Sequence, residues 1–280
     1  MIYLQKALLV SKSFQHEEVT GFKYGYSPLG KPFLYVYLYY VDGLLIDTGQ
    51  RKAGHQILAD TKDLPVEQIF VTHHHEDHSG NIPMLRQQHN CTALAPALTC
   101  EMMKAPPHMS FPRRLLWGVR EPYAELQPVD NQLKTNQYCF EVISVPGHAP
   151  DMAVLYEPDK KWLFSADLFV NHYIGYMLDT ESIQQQIDST RKILELDFEV
   201  MFCCHNPQMS KAKAQLAKKL SFLEYFFDEV GKLHQQGKTA SEIMRQLKLK
   251  EDWLVRLLSR GQLSKLNMVK SVIRDLETVK

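Results

Sequence analysis

The sequence predicts an α/β sandwich with a small all-helical unit at its C-terminal end. Three observations lead there. Short β-branched and aromatic runs alternate with helix-spaced segments as far as His205. After Pro207 the apolar residues recur at helical spacing throughout. The 280 residues, 45% hydrophobic and 23% charged, suit a globular chain with one large domain or a domain plus an appendage. The expected division is a body over residues 1–207 and a helical unit over 208–280.

The elements follow in order. The first 50 residues read as strands. Residues 33–40 are aromatic and β-branched, Val41-Asp42-Gly43 signals a turn, and Leu44-Leu45-Ile46 ends at Asp47-Thr48-Gly49. A helix is expected near 53–60, a short buried strand at 68–72, and a helix capped by Ser79 or Asn81 and running to 89. Residues 91–95 read as a strand and 97–103 as a helix. The stretch 104–127 holds Pro106, Pro107, Pro112 and Pro122 among aromatic and basic residues. It reads either as a lid or as a helix-containing insertion packed on the body. Strands are expected at 139–145, 153–157, 162–165 and 198–204, with a helix at 182–196. The terminal helices are placed near 210–235, 241–248, 251–260 and 263–278.

Formal net charge is zero. It is unevenly spread: from Pro207 onward 15 Lys/Arg stand against 8 Asp/Glu, a net of +7, leaving −7 on the rest. A strongly nucleic-acid-binding surface is not indicated overall, and a basic helical face in water accounts for the tail as well as an anionic partner would. The five cysteines are odd in number and form no disulfide framework. No apolar run approaches the ~20 residues a membrane span needs, and the N-terminus lacks the pattern of a secretory leader. A cytoplasmic protein is the expectation.

Chemistry concentrates in the run Thr72-His73-His74-His75-Glu76-Asp77-His78. A strand end turning into a loop can aim alternate side chains the same way. Two metals could share such a loop, one taking His73 and His75, the other Asp77 and His78. Imidazole with carboxylate suits zinc, and also iron or manganese. His74 has the wrong phase for a ligand. Further candidates each follow a predicted strand: His148 in Val145-Pro146-Gly147-His148, Asp167 after Leu163-Phe164-Ser165-Ala166, and His205 after Val200-Met201-Phe202-Cys203-Cys204.

Asp47 in Ile46-Asp47-Thr48-Gly49, the run from His73 to His78, His148 after Pro-Gly, Asp167 and His205 resemble, in order, the five motifs of the metallo-β-lactamase superfamily. The resemblance spans residues 44–205. It implies an αββα sandwich with two divalent metals at one edge, zinc first. It implies one metal on His73, His75 and His148, a second on Asp77, His78 and His205, and Asp167 bridging them. Asp47 would hold the His loop in place. The sequence departs from the family pattern twice. The last histidine follows Cys204 where Gly is usual, and Ser165-Ala166 stands where Gly often precedes the bridging Asp. These departures leave room for an altered loop geometry and for Cys204 beside the metals; the expectation for Cys203 and Cys204 is instead a buried, inert thiol.

Two metals would lower the pKa of a bridging water toward ~7, against about 15.7 in bulk, and the hydroxide would attack a carbonyl or phosphorus. Asp77 is the expected proton acceptor or orienter, hence the catalytic residue. Asp167 argues against β-lactams, since true β-lactamases of the family generally lack that residue. The layout resembles glyoxalase II-type thioesterases and lactonases with a helical extension, so an ester, thioester or lactone is the expected small-molecule substrate. Arg113, Arg114 and Arg120 are candidates for an acidic substrate tail. Trp117, His172, Tyr173 and Tyr176 are further candidate substrate contacts. The competing readings are a metal-dependent (ribo)nuclease or phosphodiesterase, which salt-dependent RNA binding would favour, and an iron-dependent oxygenase or redox enzyme on the same fold. The helical unit is a candidate homodimer interface.

Overall fold

A computed structural model describes residues 8–28 and 30–278; the first seven of the residues read as strand lie outside it. The chain opens with β1 (Leu8–His16), β2 (Val19–Ser27), β3 (Val36–Val41) and β4 (Leu44–Ile46). Then come α1 (Gly54–Thr61), β5 (Gln68–Phe70), α2 (Glu76–Ser79), α3 (Ile82–His89), β6 (Thr92–Pro96), α4 (Ala97–Lys104) and α5 (Phe111–Trp117). The second half holds β7 (Gln127–Val129), β8 (Gln132–Lys134), β9 (Cys139–Ser144), β10 (Ala153–Glu157), β11 (Trp162–Ala166), β12 (Met177–Leu178), α6 (Ile183–Leu194) and β13 (Val200–Cys203). The chain ends with α7 (Ala212–Gln235), α8 (Ala240–Gln246), α9 (Trp253–Leu258), β14 (Leu263–Ser264) and α10 (Lys265–Thr278). The expected boundary at 207/208 falls between β13 and α7.

Strands β1 to β7 form a seven-stranded sheet in sequence order, antiparallel from β1 to β4 and parallel from β4 to β7. The second sheet runs β13-β11-β10-β9-β8, with only β11 and β13 parallel. Side chains alternate across each strand, and this alternation builds the layers. On β3, Val36, Leu38 and Tyr40 face a core shared with Ile57 of α1, Leu85 of α3 and Met103 of α4. Their neighbours Tyr37, Tyr39 and Val41 face the second sheet, meeting Phe164 of β11 and Phe202 of β13. Leu163 and Met201, one residue along, point instead at Ile193 of α6 and Leu216 of α7. The result is helix, sheet, sheet, helix. Strands β4 and β13 are buried on both faces and read as unbroken apolar runs. Phe164 and Phe202 stack at 4.7 Å between ring centres, with the Tyr39 ring 5.2 Å from Phe202.

The terminal helices share a core with α6. Phe226 and Val230 of α7, Ile243 of α8 and Val269 and Val272 of α10 close over Ile183 and Ile187 of α6. No helix of the described residues is long and apolar enough to cross a membrane.

Several expectations change. The strand expected at 33–40 starts only at Val36; beyond Pro32 the chain bends, leaving Phe33 74% exposed. The stretch 104–127 is the helix-containing insertion, built on α5. Strands β7 and β8 were hidden, since three residues carry no periodicity. The terminal helix expected from 263 starts at Lys265, because Leu263 and Ser264 pair with β12. Only that partner strand, distant in sequence, makes them extended.

Candidate metal centre

The parallel strands β4 and β5, and the parallel pair β11 and β13, end at one edge of the sandwich. Asp47 follows β4, His73–His75 follow β5, Asp167 follows β11 and His205 follows β13. His148 sits in the turn between β9 and β10. Gly147 before it adopts φ +130°, and a Cβ there would come within 2.5 Å of the Gln186 backbone nitrogen. Only glycine lets α6 approach this closely. After His75 the chain does not stay a loop but turns into the helical turn α2, which carries Asp77 and His78. At Ala166 the backbone takes φ +45°, the left-handed conformation glycine adopts freely. The missing glycine before Asp167 therefore leaves the turn in place, with an alanine held in it. The register between β11 and β13 shifts at this point.

These turns bring three groups together. Donor atoms of His73, His75 and His148 lie within 4.8 Å of one another, as do those of Asp77, His78, Cys204 and His205, and those of His73, His78 and Asp167. Asp167 stands between them. Its Oδ2 is 3.3 Å from His148 Nε2 and 3.5 Å from His78 Nε2, while Oδ1 is 3.4 Å from His205 Nε2. Asp77 Oδ2 is 3.3 Å from His205 Nε2. His148 Nε2 and His75 Nδ1 face each other at 3.0 Å.

Hydrogen bonds on the far side of four of the rings, those of His73, His78, His148 and His205, fix these orientations. His78 Nδ1 lies 2.7 Å from Asp47 Oδ2, and the other Asp47 oxygen accepts from the Thr72 amide at 2.8 Å. His205 Nδ1 lies 2.7 Å from the Tyr35 carbonyl, and His148 Nδ1 3.2 Å from Glu181 Oε2. The Thr72 hydroxyl is 3.1 Å from His73 Nδ1. Such partners leave the opposite nitrogen bare and aimed inward. His74 points away: its Nδ1 meets Asp151 Oδ1 at 2.7 Å, and its amide donates to the other Asp151 oxygen.

Burial works against charge throughout the cluster. It holds the imidazoles of His73 and His75 well below their usual range, helped by the histidines around them. Burial also opposes ionisation of Asp167, yet facing His205 and His78 hold its carboxyl well below the usual range. The Cys204 thiol is pushed up by burial, and its residue packs in the core beside α1 and α3. The donor set fits cations. His73 Nε2, His78 Nε2 and Asp167 Oδ1 are buried with no hydrogen-bond partner among the described residues. Bare buried acceptors of this kind are what a divalent ion satisfies.

A cavity of about 470 Å³ opens over the cluster. Of the residues read as substrate contacts, Arg113, Trp117, Tyr173 and Tyr176 line it, and Arg114, Arg120 and His172 do not. Arg114 and His172 are exposed. Arg120 is buried and spends its guanidinium on the carbonyls of His74 and Pro107. Arg113 donates through Nε and Nη2 to the two oxygens of Glu76, both at 2.6 Å. Sequence reasoning missed Glu181, Lys219 and Asp151, since none belongs to a motif. Lys219, on α7, is 2% exposed and donates to the Leu168 carbonyl at 2.6 Å. Burial pushes its ammonium down to about 8.

The family model described as "Metallo-beta-lactamase superfamily" matches residues 33–205. A hydroxyacylglutathione hydrolase from Idiomarina loihiensis is 25% identical over 74% of this chain and 74% of its own length. One from Bartonella tribocorum is 26% identical over 57% of this chain, and the match spans only 55% of that relative. Among solved structures, a metallo-beta-lactamase family protein from Thermus thermophilus superposes with TM-score 0.64 at 16% identity, covering 97% of this chain and 94% of its own. A metallo-beta-lactamase from Pontibacter korlensis gives 0.58 at 19% identity, covering 78% and 99%. At these identities the structures speak for the fold alone. The family model matches well over half the chain and ends on the histidine that closes the cluster, so the chain belongs to the metallo-beta-lactamase superfamily.

Proposed function

We propose that the protein is a metal-dependent hydrolase of a carboxylic ester, thioester or lactone, working with two divalent cations, zinc foremost. The supporting observation is the position of Asp167, whose carboxylate faces both histidine groups: Oδ2 lies 3.3 Å from His148 and 3.5 Å from His78, and Oδ1 lies 3.4 Å from His205. His73, His75 and His148 would hold one cation, Asp77, His78 and His205 the other, with Asp167 shared. The hydroxyacylglutathione hydrolases among its relatives are thioesterases by name, which favours carbonyl over phosphorus chemistry.

The cations, when bound, supply Lewis-acid activation of water and of the scissile carbonyl. The protein's own groups do the rest. Asp47, the Tyr35 carbonyl and Glu181 occupy the Nδ1 side of His78, His205 and His148, so each presents Nε2 without a rotamer search. Asp77 lines the cavity with an ionised carboxylate, placed to orient a water and take its proton at an oxygen.

The test is metal analysis with a hydrolysis screen over thioesters, lactones, esters, phosphodiesters and RNA. Two metals per chain and cleavage of an acyl substrate are expected. Asp167→Ala should lose cation stoichiometry and activity together. One tightly bound metal with a fully active Asp167→Ala would overturn the reading.

A further inference from the structure

The walls of the cavity differ in chemistry from its floor. Above the histidines and carboxylates stand Leu34, Trp117, Ile174, Tyr176, Leu178 and Leu263. They come from four separate segments: the turn before β3, helix α5, the stretch that ends in β12, and β14 of the helical unit. Two basic residues line the same space, Arg113 and Lys219. Neither is free. Arg113 is held by both oxygens of Glu76, whose side chain is 2% exposed, and Lys219 is buried against the Leu168 carbonyl. The other charged residues in the lining are Glu76, Glu181 and the two aspartates of the proposed metal centre.

Among the described residues, a charged substrate tail lying along these walls would meet no uncommitted cation. Recruiting Arg113 would strand Glu76, a buried carboxylate, without its counter-ion. An apolar chain meets the opposite situation: each methylene seated against Leu34, Ile174 or Leu263 leaves water at no polar cost. We propose that the site takes an uncharged substrate whose acyl group is a medium-length aliphatic chain, seated along this wall. The proposal rests on the hydrolase reading of the same centre. It departs from the expectation of an anionic substrate, and from the peptide thioesters named by the relatives.

The experiment uses the full chain loaded with zinc. kcat/KM is measured for p-nitrophenyl acetate, butyrate, hexanoate and octanoate, and for a hydroxyacylglutathione. We expect kcat/KM to rise about threefold or more per added methylene up to hexanoate, and the glutathione thioester to be the poorer substrate. Leu34→Glu, in a part-exposed turn, should shrink the ratio of octanoate to acetate at least tenfold. Leu34→Gln provides a second, uncharged reading of the same wall and should shrink it less. Readily cleaved acetate with no dependence on chain length overturns the acyl-chain proposal and leaves the hydrolase reading standing. A glutathione thioester preferred over hexanoate does the same. No cleavage of any of these compounds, nor of an aliphatic lactone assayed beside them, by protein carrying two zinc ions overturns both.

Discussion

The carboxylate of Glu181 lies 3.2 Å from Nδ1 of His148, on the side of the ring away from the cluster. Glu181 is itself fixed: Gln186 Nε2 donates to the same oxygen, the Leu178 amide to the other, and Ser271 and Arg274 of α10 donate to its backbone carbonyl. The helical unit thus reaches the metal centre through a positioning carboxylate. Glu181→Gln keeps the volume and the backbone contacts but removes the charge behind the imidazole. Zinc affinity should fall about 10- to 100-fold, as for other partners of metal-bound histidines. Competition with a chromophoric chelator measures it, alongside an unchanged thermal melt of the metal-free protein. Unchanged affinity would deny the residue this role.

Arg113 makes a second case, because its pairing decides between two roles. If it served substrate, its loss would raise KM and leave folding alone. Its fork on buried Glu76 predicts the reverse. Arg113→Met strands the carboxylate and should cost about 3 kcal/mol or more of stability. Adding Glu76→Gln should restore most of that, a coupling read from a double-mutant cycle by urea denaturation. Additive effects in the cycle would contradict the pairing.

How much of this was legible in sequence follows from the range of the forces involved. The cluster His73–His78 is local, and its neighbours Asp47, His148, Asp167 and His205 each sit just past an apolar strand, so type and context marked them. Glu181, Lys219 and Asp151 carry no such context. Their roles come from approaches between segments dozens of residues apart, such as α10 meeting the turn before α6. Arg113, Arg114 and Arg120 looked equivalent as a basic group, yet one pairs with Glu76, one is exposed and one binds main-chain carbonyls. The helical turn that places Arg113 toward Glu76 is a matter of phase, and three arginines within eight residues do not reveal it. Strands β12 and β14 exist because they pair, and two residues cannot announce that.

Ala166 tests whether the turn before Asp167 is strained by its missing glycine. The left-handed backbone costs a non-glycine residue about 1–2 kcal/mol. Against this, the buried methyl contributes about 0.8 kcal/mol, and glycine loses more chain entropy on folding, about 0.5–1 kcal/mol. These terms nearly cancel, so Ala166→Gly should change stability by less than about 1 kcal/mol. Ala166→Val places a β-branched side chain in the same conformation and should destabilise by about 2–3 kcal/mol. Equal losses for the two variants, by urea denaturation, would show that packing and not backbone conformation governs this turn.

Asp151 contributes to the response to acid. Burial alone would raise its carboxyl, but hydrogen bonds from the His74 side chain and the His74 amide outweigh it and hold the carboxyl below its usual value. A carboxyl lowered on folding adds stability that is fully present above its unfolded pKa near ~3.9 and is lost as pH falls through the lower folded value. The bonds to His74 are charge-assisted, so Asp151→Asn should cost about 2–3 kcal/mol at neutral pH. The difference between wild type and variant should then hold steady down to about pH 4 and narrow below it, as the wild-type carboxylate takes up its proton. Urea denaturation of metal-free protein at pH 7, 4 and 2.5 separates this from metal loss. A difference that persists undiminished at the lowest pH would show that Asp151 contributes by shape and not by charge.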